Sequence, residues 1–246
     1  MQIITTRQNK LDKSVGHGVL TAGIQLAPAR EAAAVLQRPD LPTVCPFSGA
    51  CAAGCLKYTG MNQLPTHALA RAKRTAMYWD EPEAFFAQVI HELGAVERKA
   101  ERLGMAFAIR PNALQDLPPL ADRIAREFPG ANVYDYTKIP SPWTRTRKRP
   151  NYTLAYSVSE RSTGRQIRAC VDHGINCAVV FNTPKGEPLP ATYTLAGRTL
   201  RVVDGDVSDL VYTYPDGVWI GLRWKGSRAR LAEGLAAGWV RDTKQV

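Results

Sequence analysis

Residues 105–136 read MAFAIRPNALQDLPPLADRIAREFPGANVYDY. An apolar run, MAFAIR (105–110), is broken by Pro-Asn. A short helix near 119–128 follows, and then a second apolar run, NVYDY (132–136). Strand, helix, strand in this order is the unit from which parallel sheets are built. Upstream, GVLTAGIQLA (18–27) reads as a first strand, and helical spacing covers 64–79 and 82–103. In the longer helix, Phe85, Phe86, Val89, Ile90, Leu93 and Val96 form one apolar stripe. Pro82 suits a first-turn position, with Asp80 as a candidate cap.

The rhythm continues downstream. YTLAYSVS (152–159), NCAVVF (176–181), TLRVVD (199–204) and VWIGL (218–222) read as strands, with a helix near 161–173 and a C-terminal helix near 227–238. Repeated alternation predicts an α/β fold with mostly parallel strands. The expectation is one domain over 1–246, a full or partial (β/α) barrel, with an open doubly wound sheet as the second choice.

Between the first strand and the first long helix lies a loop at 39–60 rich in Pro and Gly, with Cys45, Cys51 and Cys55 spaced CX5CX3C. Thiolates this close suit a metal or an iron–sulfur cluster. Structural zinc sites normally use two close ligand pairs, and no second pair is present. Cys170 and Cys177 read as buried, inert thiols. His67, twelve residues past Cys55, is the one histidine near enough in sequence to complete a zinc site, against the plainer reading of a helix-surface histidine. Three thiolates with an open fourth position favour a [4Fe–4S] cluster, with zinc as the alternative.

Polar residues cluster at strand ends. Arg110 and Asn112 follow 105–110, and Asp135 and Lys138 end the next strand. Ser157, Ser159 and Glu160 end the third, and Asn182 follows the fourth. In a barrel such residues gather at the C-terminal rim with the cysteine loop. Asp135 stands in an apolar strand, where a carboxylate needs a partner; Arg110 and Lys138 are the expected ones. Glu160 either caps the following helix or meets substrate. Asp204-Gly-Asp206 is either a turn or a functional rim element.

The chain carries a net charge of +10. Arg145, Arg147, Lys148 and Arg149, with Arg223 and Lys225, form basic runs interleaved with Trp143, Tyr152 and Trp224. This pattern favours nucleic acid as partner, DNA or RNA, through phosphate contacts and stacking. No apolar run is long enough to span a membrane. The polar N-terminal stretch lacks an apolar signal core, so a cytoplasmic protein is expected. Nothing in the sequence sets an oligomeric state.

LTAGIQLAPA, CPFSGACAAGCL, YDYTK, LAYSVSE, AVVFN, VVDGDVSDL and GVWIGLRWKG together resemble the phage "gene product 88" family over about residues 5–240. That resemblance implies a phage or prophage origin, hence a host-cell cytoplasm, and little chemistry. The cysteine loop after a first strand is also distantly similar to radical S-adenosylmethionine enzymes. It implies Cys45, Cys51 and Cys55 as cluster ligands, with Arg110, Asn112, Ser157, Ser159 and Asn182 orienting S-adenosylmethionine. The spacing differs from their usual CX3CX2C, and no Gly-Gly-Glu follows the second strand. Asp135-Tyr-Thr-Lys-Ile-Pro140 faintly resembles the nucleophile strand of tRNA-guanine transglycosylases, whose zinc cysteines lie near the C-terminus.

Three functions follow as expectations. The first is a radical-type iron–sulfur enzyme acting on nucleic acid or a modified nucleotide, with Asp135, Lys138 and Glu160 as catalytic residues. The second is a base-exchange enzyme with structural zinc and Asp135 as nucleophile. The third is a metal-stabilised nucleic-acid-binding protein without catalysis.

Overall fold

A computed structural model describes residues 1–6, 9–52 and 54–243. In chain order the elements are β1 (Ile4–Thr5), α1 (Asn9–Val15), β2 (Val19–Ile24), α2 (Glu31–Val35), α3 (Pro65–Asp80), α4 (Pro82–Arg102), β3 (Ala106–Arg110), α5 (Pro118–Glu127) and β4 (Asn132–Thr137). They continue with α6 (Trp143–Thr146), β5 (Tyr152–Ser157), α7 (Gly164–Asp172), β6 (Cys177–Phe181), β7 (Thr192–Leu195), β8 (Arg198–Asp204), β9 (Trp219–Arg223), α8 (Arg228–Ala236) and β10 (Val240–Arg241). The architecture is mixed α/β, and its strand pairings are mostly parallel. The chain divides into two compact units, one of residues 1–46, 60–135 and 149–153, the other of residues 47–59, 136–148 and 154–246.

In the first unit β2 is buried along its whole length and pairs in parallel with β3, which pairs in parallel with β4. A strand buried on both faces reads as a continuous apolar run, as VLTAGI does. β1 adds to β2 in antiparallel register. It is held by Glu92, whose carboxylate accepts from the backbone N–H of Ile3 and Ile4 (2.9 and 2.7 Å). The stripe of α4 is buried at Phe85, Phe86, Val89 and Leu93. Tyr78 of α3 meets Phe85 and Phe86 edge-on. The cap before Pro82 is Glu81, not Asp80; Asp80 closes α3 and pairs with Arg38 at 3.1 Å.

α2 packs on α3 around Ala27, Ala32, Leu41 and Ala72. Beside that cluster Arg71, 1% exposed, forms a two-pronged pair with Glu31 at 3.0 Å. A buried guanidinium needs such a partner, because its desolvation alone costs several kcal/mol, roughly.

In the second unit β6 is central. β9 pairs with it in parallel over Cys177–Phe181. On its other side β5 pairs at Cys177 and Ala178, and β10 at Val180 and Phe181. β8 continues the sheet beyond β9, and β7 closes it as an antiparallel hairpin partner. The turn Ala196-Gly197 has positive φ at both residues, the geometry that matches strand twist in a two-residue hairpin. Tyr156, Ile167, Cys170, Cys177, Val179, Phe181 and Trp219 form the core between α7 and the sheet.

Candidate functional site

The cysteine loop is built from tight turns, not from a strand or long helix. 3-10 turns cover Ala50–Ala52 and Leu56–Tyr58. All five cysteines are thiols; Cys45, Cys51 and Cys55 are half-buried, Cys170 and Cys177 fully buried. In the second unit Cys51 acts electrostatically on Cys55. Burial pushes the Cys55 thiol up, the neighbouring Cys51 adds to that, and Lys57 and Lys138 oppose it. Cys45 belongs to the first unit, where its Sγ lies 3.7 Å from the carbonyl of Leu114. Among the described residues no three of His, Cys, Asp or Glu are grouped to hold a metal ion. His67 is exposed on α3.

Glu160 reaches the same loop in the second unit. Its Oε1 accepts from the backbone N–H of Ala50 at 2.9 Å, immediately before Cys51. Gly49 leaves the room for this, since a Cβ there would collide with that oxygen. The other oxygen, Oε2, is buried with no hydrogen-bond partner among the described atoms. Glu160 does not cap α7. Thr163 does, in a reciprocal capping box with Gln166.

Asp135, 1% exposed, forms the second cluster, in the first unit. Its carboxylate accepts from the backbone N–H and the side-chain amide of Asn112, both at 2.8 Å, and from the Tyr152 hydroxyl at 3.3 Å. Asn112 in turn spans the loop after β3, accepting from the Leu117 N–H at 3.0 Å. Burial pushes the Asp135 carboxyl up to about 7; the Asn112 hydrogen bonds and the nearby Arg110 charge pull the other way. The Arg110 expected from sequence is thus an electrostatic neighbour, while an amide and a phenol make the direct contacts.

The other expected cofactor residues serve the chain itself in part. Ser159 helps form a turn, with its backbone N–H donating to Ser162 Oγ at 2.9 Å. Asn182 donates to Asp242 at 2.8 Å and accepts from the N–H of Thr243 at 3.1 Å, which ties down β10. Ser157 ends β5 opposite Ala178.

The basic residues differ in how far they are neutralised. Arg223 pairs with Asp204 (2.8 Å) and Asp206 (3.3 Å), and Lys225 with Asp206 (2.5 Å). Asp204-Gly-Asp206 is therefore a turn that carries its own counter-cations. Arg149 pairs with Asp122 at 3.2 Å. On α6 and just after it, Arg147 and Lys148 are exposed, and Arg145 donates to Thr137 at 3.0 Å. Arg147 also contacts His173, on which Trp143 stacks at 4.4 Å. Of the three aromatics expected to stack on bases, Tyr152 is buried against Asp135, and Trp224 packs against Trp239 at 5.6 Å.

A family profile described as "Gene product 88" matches residues 4–237. The chain belongs to the phage gene product 88 family. No curated protein and no solved structure matches it. The family match spans both the cysteine loop and the Asp135 cluster, so both are features of the matched region. Among the described residues no helix is long and apolar enough to cross a membrane.

Sequence reasoning missed the supports of the loop: Gly49, Gly54, Trp239 and Arg230. Their signal is the glycine just ahead of Ala50-Cys51 and again just ahead of Cys55, where side chains from elsewhere come too close for a Cβ.

Proposed function

We propose that this chain is a nucleic-acid-modifying enzyme on a partial (β/α) barrel, working in the host-cell cytoplasm. Cys51 and Cys55 of the second unit would be thiolate ligands of a [4Fe–4S] cluster of radical S-adenosylmethionine type, with zinc as the alternative metal. The observation that carries this reading is the loop at 47–59, which keeps the Cys51 and Cys55 thiols within each other's field beside Lys138. The donor chemistry fits a thiophilic group. A ready-made set of three donors is not assembled among the described residues, so the reading requires the metal to complete its own site. Binding would then be coupled to ordering of the loop and to loss of the thiol protons.

When bound, such a cluster supplies one-electron chemistry. The chain's own residues do the rest. Glu160 fixes the turn that carries Cys51, and Lys138 offers positive charge beside Cys55. Arg145, Arg147 and Lys148 offer phosphate contacts. Asp135 holds Asn112 and the loop after β3, with a proton affinity near neutrality. Its burial argues for a positioning role and against a nucleophile meeting a base directly.

The test is purification without oxygen, followed by iron, sulfide and zinc analysis, a visible spectrum, and addition of S-adenosylmethionine. Iron and sulfide in a brown protein whose spectrum responds to S-adenosylmethionine is the expected result. A colourless protein with stoichiometric zinc and no response overturns the iron–sulfur reading.

A further inference from the structure

The cysteine loop does not support itself. Its second half rests on a C-terminal platform in the same unit. A Cβ on Gly54 would lie 2.6 Å from Trp239 Cζ3 and 2.7 Å from Trp224 Cζ3, far inside contact distance. The two indoles meet edge to face at 78°. A Cβ on Gly226 would also strike the Trp224 ring, at Cζ2 and Cε2. Its Nε1 donates to the Ser227 carbonyl at 3.2 Å. Three residues past Cys55, the Tyr58 ring carries the Arg230 guanidinium at 3.7 Å.

From this we infer that Trp224 and Trp239 are positioning residues of the cysteine loop. They seat Gly54 and thereby set where the Cys55 thiol lies for the metal. The inference rests on the proposed metal reading but concerns the chain's own residues. Edge-to-face aromatic pairs favour one geometry over others, and a glycine pressed on them has no side chain to rotate away. Arg230 over Tyr58 adds a cation–π contact on the far side. Cys55 is thus held from both flanks, by Gly54 before it and Tyr58 after it. Cys51 is held differently, through Glu160 and Ala50. The Cys51 turn also packs on α8, and Glu160 gives it a further support that Cys55 lacks.

The experiment compares wild type with Gly54→Ala, Trp239→Ala and the conservative Trp239→Phe. Metal-free full-length protein is labelled with iodoacetamide at fixed pH, and Cys51, Cys55 and Cys170 are read separately by peptide mass spectrometry. Metal content and its rate of loss to a chelator are measured on protein as purified. Gly54→Ala and Trp239→Ala raise Cys55 labelling about tenfold, the change expected when local opening becomes easier by about 1.4 kcal/mol. Cys51 labelling rises less than Cys55 labelling, Cys170 labelling stays near wild type, metal is lost faster, and Trp239→Phe restores most of the protection. Unchanged Cys55 labelling in folded Trp239→Ala overturns the inference. So does Cys170 labelling that rises in step, since that reports general loosening. If wild type carries no metal while the Cys55 effect appears, the positioning role stands and the metal reading falls.

Discussion

Asp135 accepts two hydrogen bonds from Asn112, one from its backbone and one from its side chain, each 2.8 Å long. The residue near the end of β4 thereby holds the first turn after β3. The same carboxylate takes a third bond from Tyr152. The loop after β3, the lead into α5, β4 and the start of β5 thus depend on one buried acid.

The acid's proton affinity gives a pH signature. Its carboxyl is raised from 3.8 to about 7, so the folded state keeps a proton that the unfolded chain releases. The stability this confers is complete below the unfolded value and is lost as pH rises through the folded one. Over that window the slope approaches one proton's worth, about 1.4 kcal/mol per pH unit. Asp135→Asn should flatten this part of the curve. Denaturant titrations of both proteins at several pH values check it; parallel curves would refute it.

Asn112→Ala removes the side-chain donor and leaves the carboxylate with the backbone N–H and Tyr152. A loss of about 2–3 kcal/mol is expected, since buried polar groups without partners bear their desolvation penalty, and the Leu117 N–H is orphaned as well. The midpoint of chemical denaturation measures it. A change no larger than that of a surface substitution would show that the pair is dispensable.

Glu160→Ala strips the Ala50 N–H of its acceptor, whereas Glu160→Gln keeps one. Alkylation should therefore rise at Cys51 in the alanine variant and much less in the glutamine variant. Gly49→Ala should mimic the alanine variant, because its new methyl meets Glu160 Oε1. Peptide-resolved labelling distinguishes the three. Equal labelling in all would remove Glu160 as a support.

On the proposed metal reading, metal content should sort the cysteines. Cys51→Ala and Cys55→Ala should lose metal, while Cys170→Ala should retain it and lose only stability. Cys170 lies beside Cys177 inside the core, and that neighbour together with burial pushes the Cys177 thiol up. Elemental analysis of the three variants decides. Loss of metal in Cys170→Ala alone would contradict the assignment.

Nucleic-acid binding should separate the basic runs. A combined Arg145→Gln, Arg147→Gln, Lys148→Gln variant should bind with a shallower salt dependence. The log–log slope should fall by about 0.7 for each single-strand phosphate that the variant no longer neutralises. Arg223→Gln should destabilise the fold and leave that slope alone, since it uncovers Asp204 and Asp206. Filter binding across salt concentrations tests both. Identical slopes in wild type and the combined variant would clear α6 of any such role.

The β3–α5–β4 unit was legible because its apolar runs and Pro-led helix are local signals. The buried stripe of α4 was legible for the same reason. β7 was not: its turn is Ala-Gly, without the Asn-Gly or Asp-Gly that usually marks such a hairpin. β1 and β10 are two residues each, too short for any period. For Asp135 the sequence suggested a charge for a charge, and Arg110 does act on it electrostatically. What the sequence did not show is that hydrogen-bond geometry also brings an amide 23 residues earlier and a phenol 17 later. Glu160 is the clearest case. Its partner lies 110 residues back along the chain, and no local pattern encodes that pairing.

The seating of Gly54 against Trp224 and Trp239 has a consequence for biosynthesis. The cysteine loop leaves the ribosome well before its platform is made. At about 5–20 residues per second, the thiols wait on the order of ten seconds or more before their support exists. Until then they are exposed to oxidants and stray metals. The chain thus makes the thiols of this loop long before the two indoles that seat Gly54 beside Cys55.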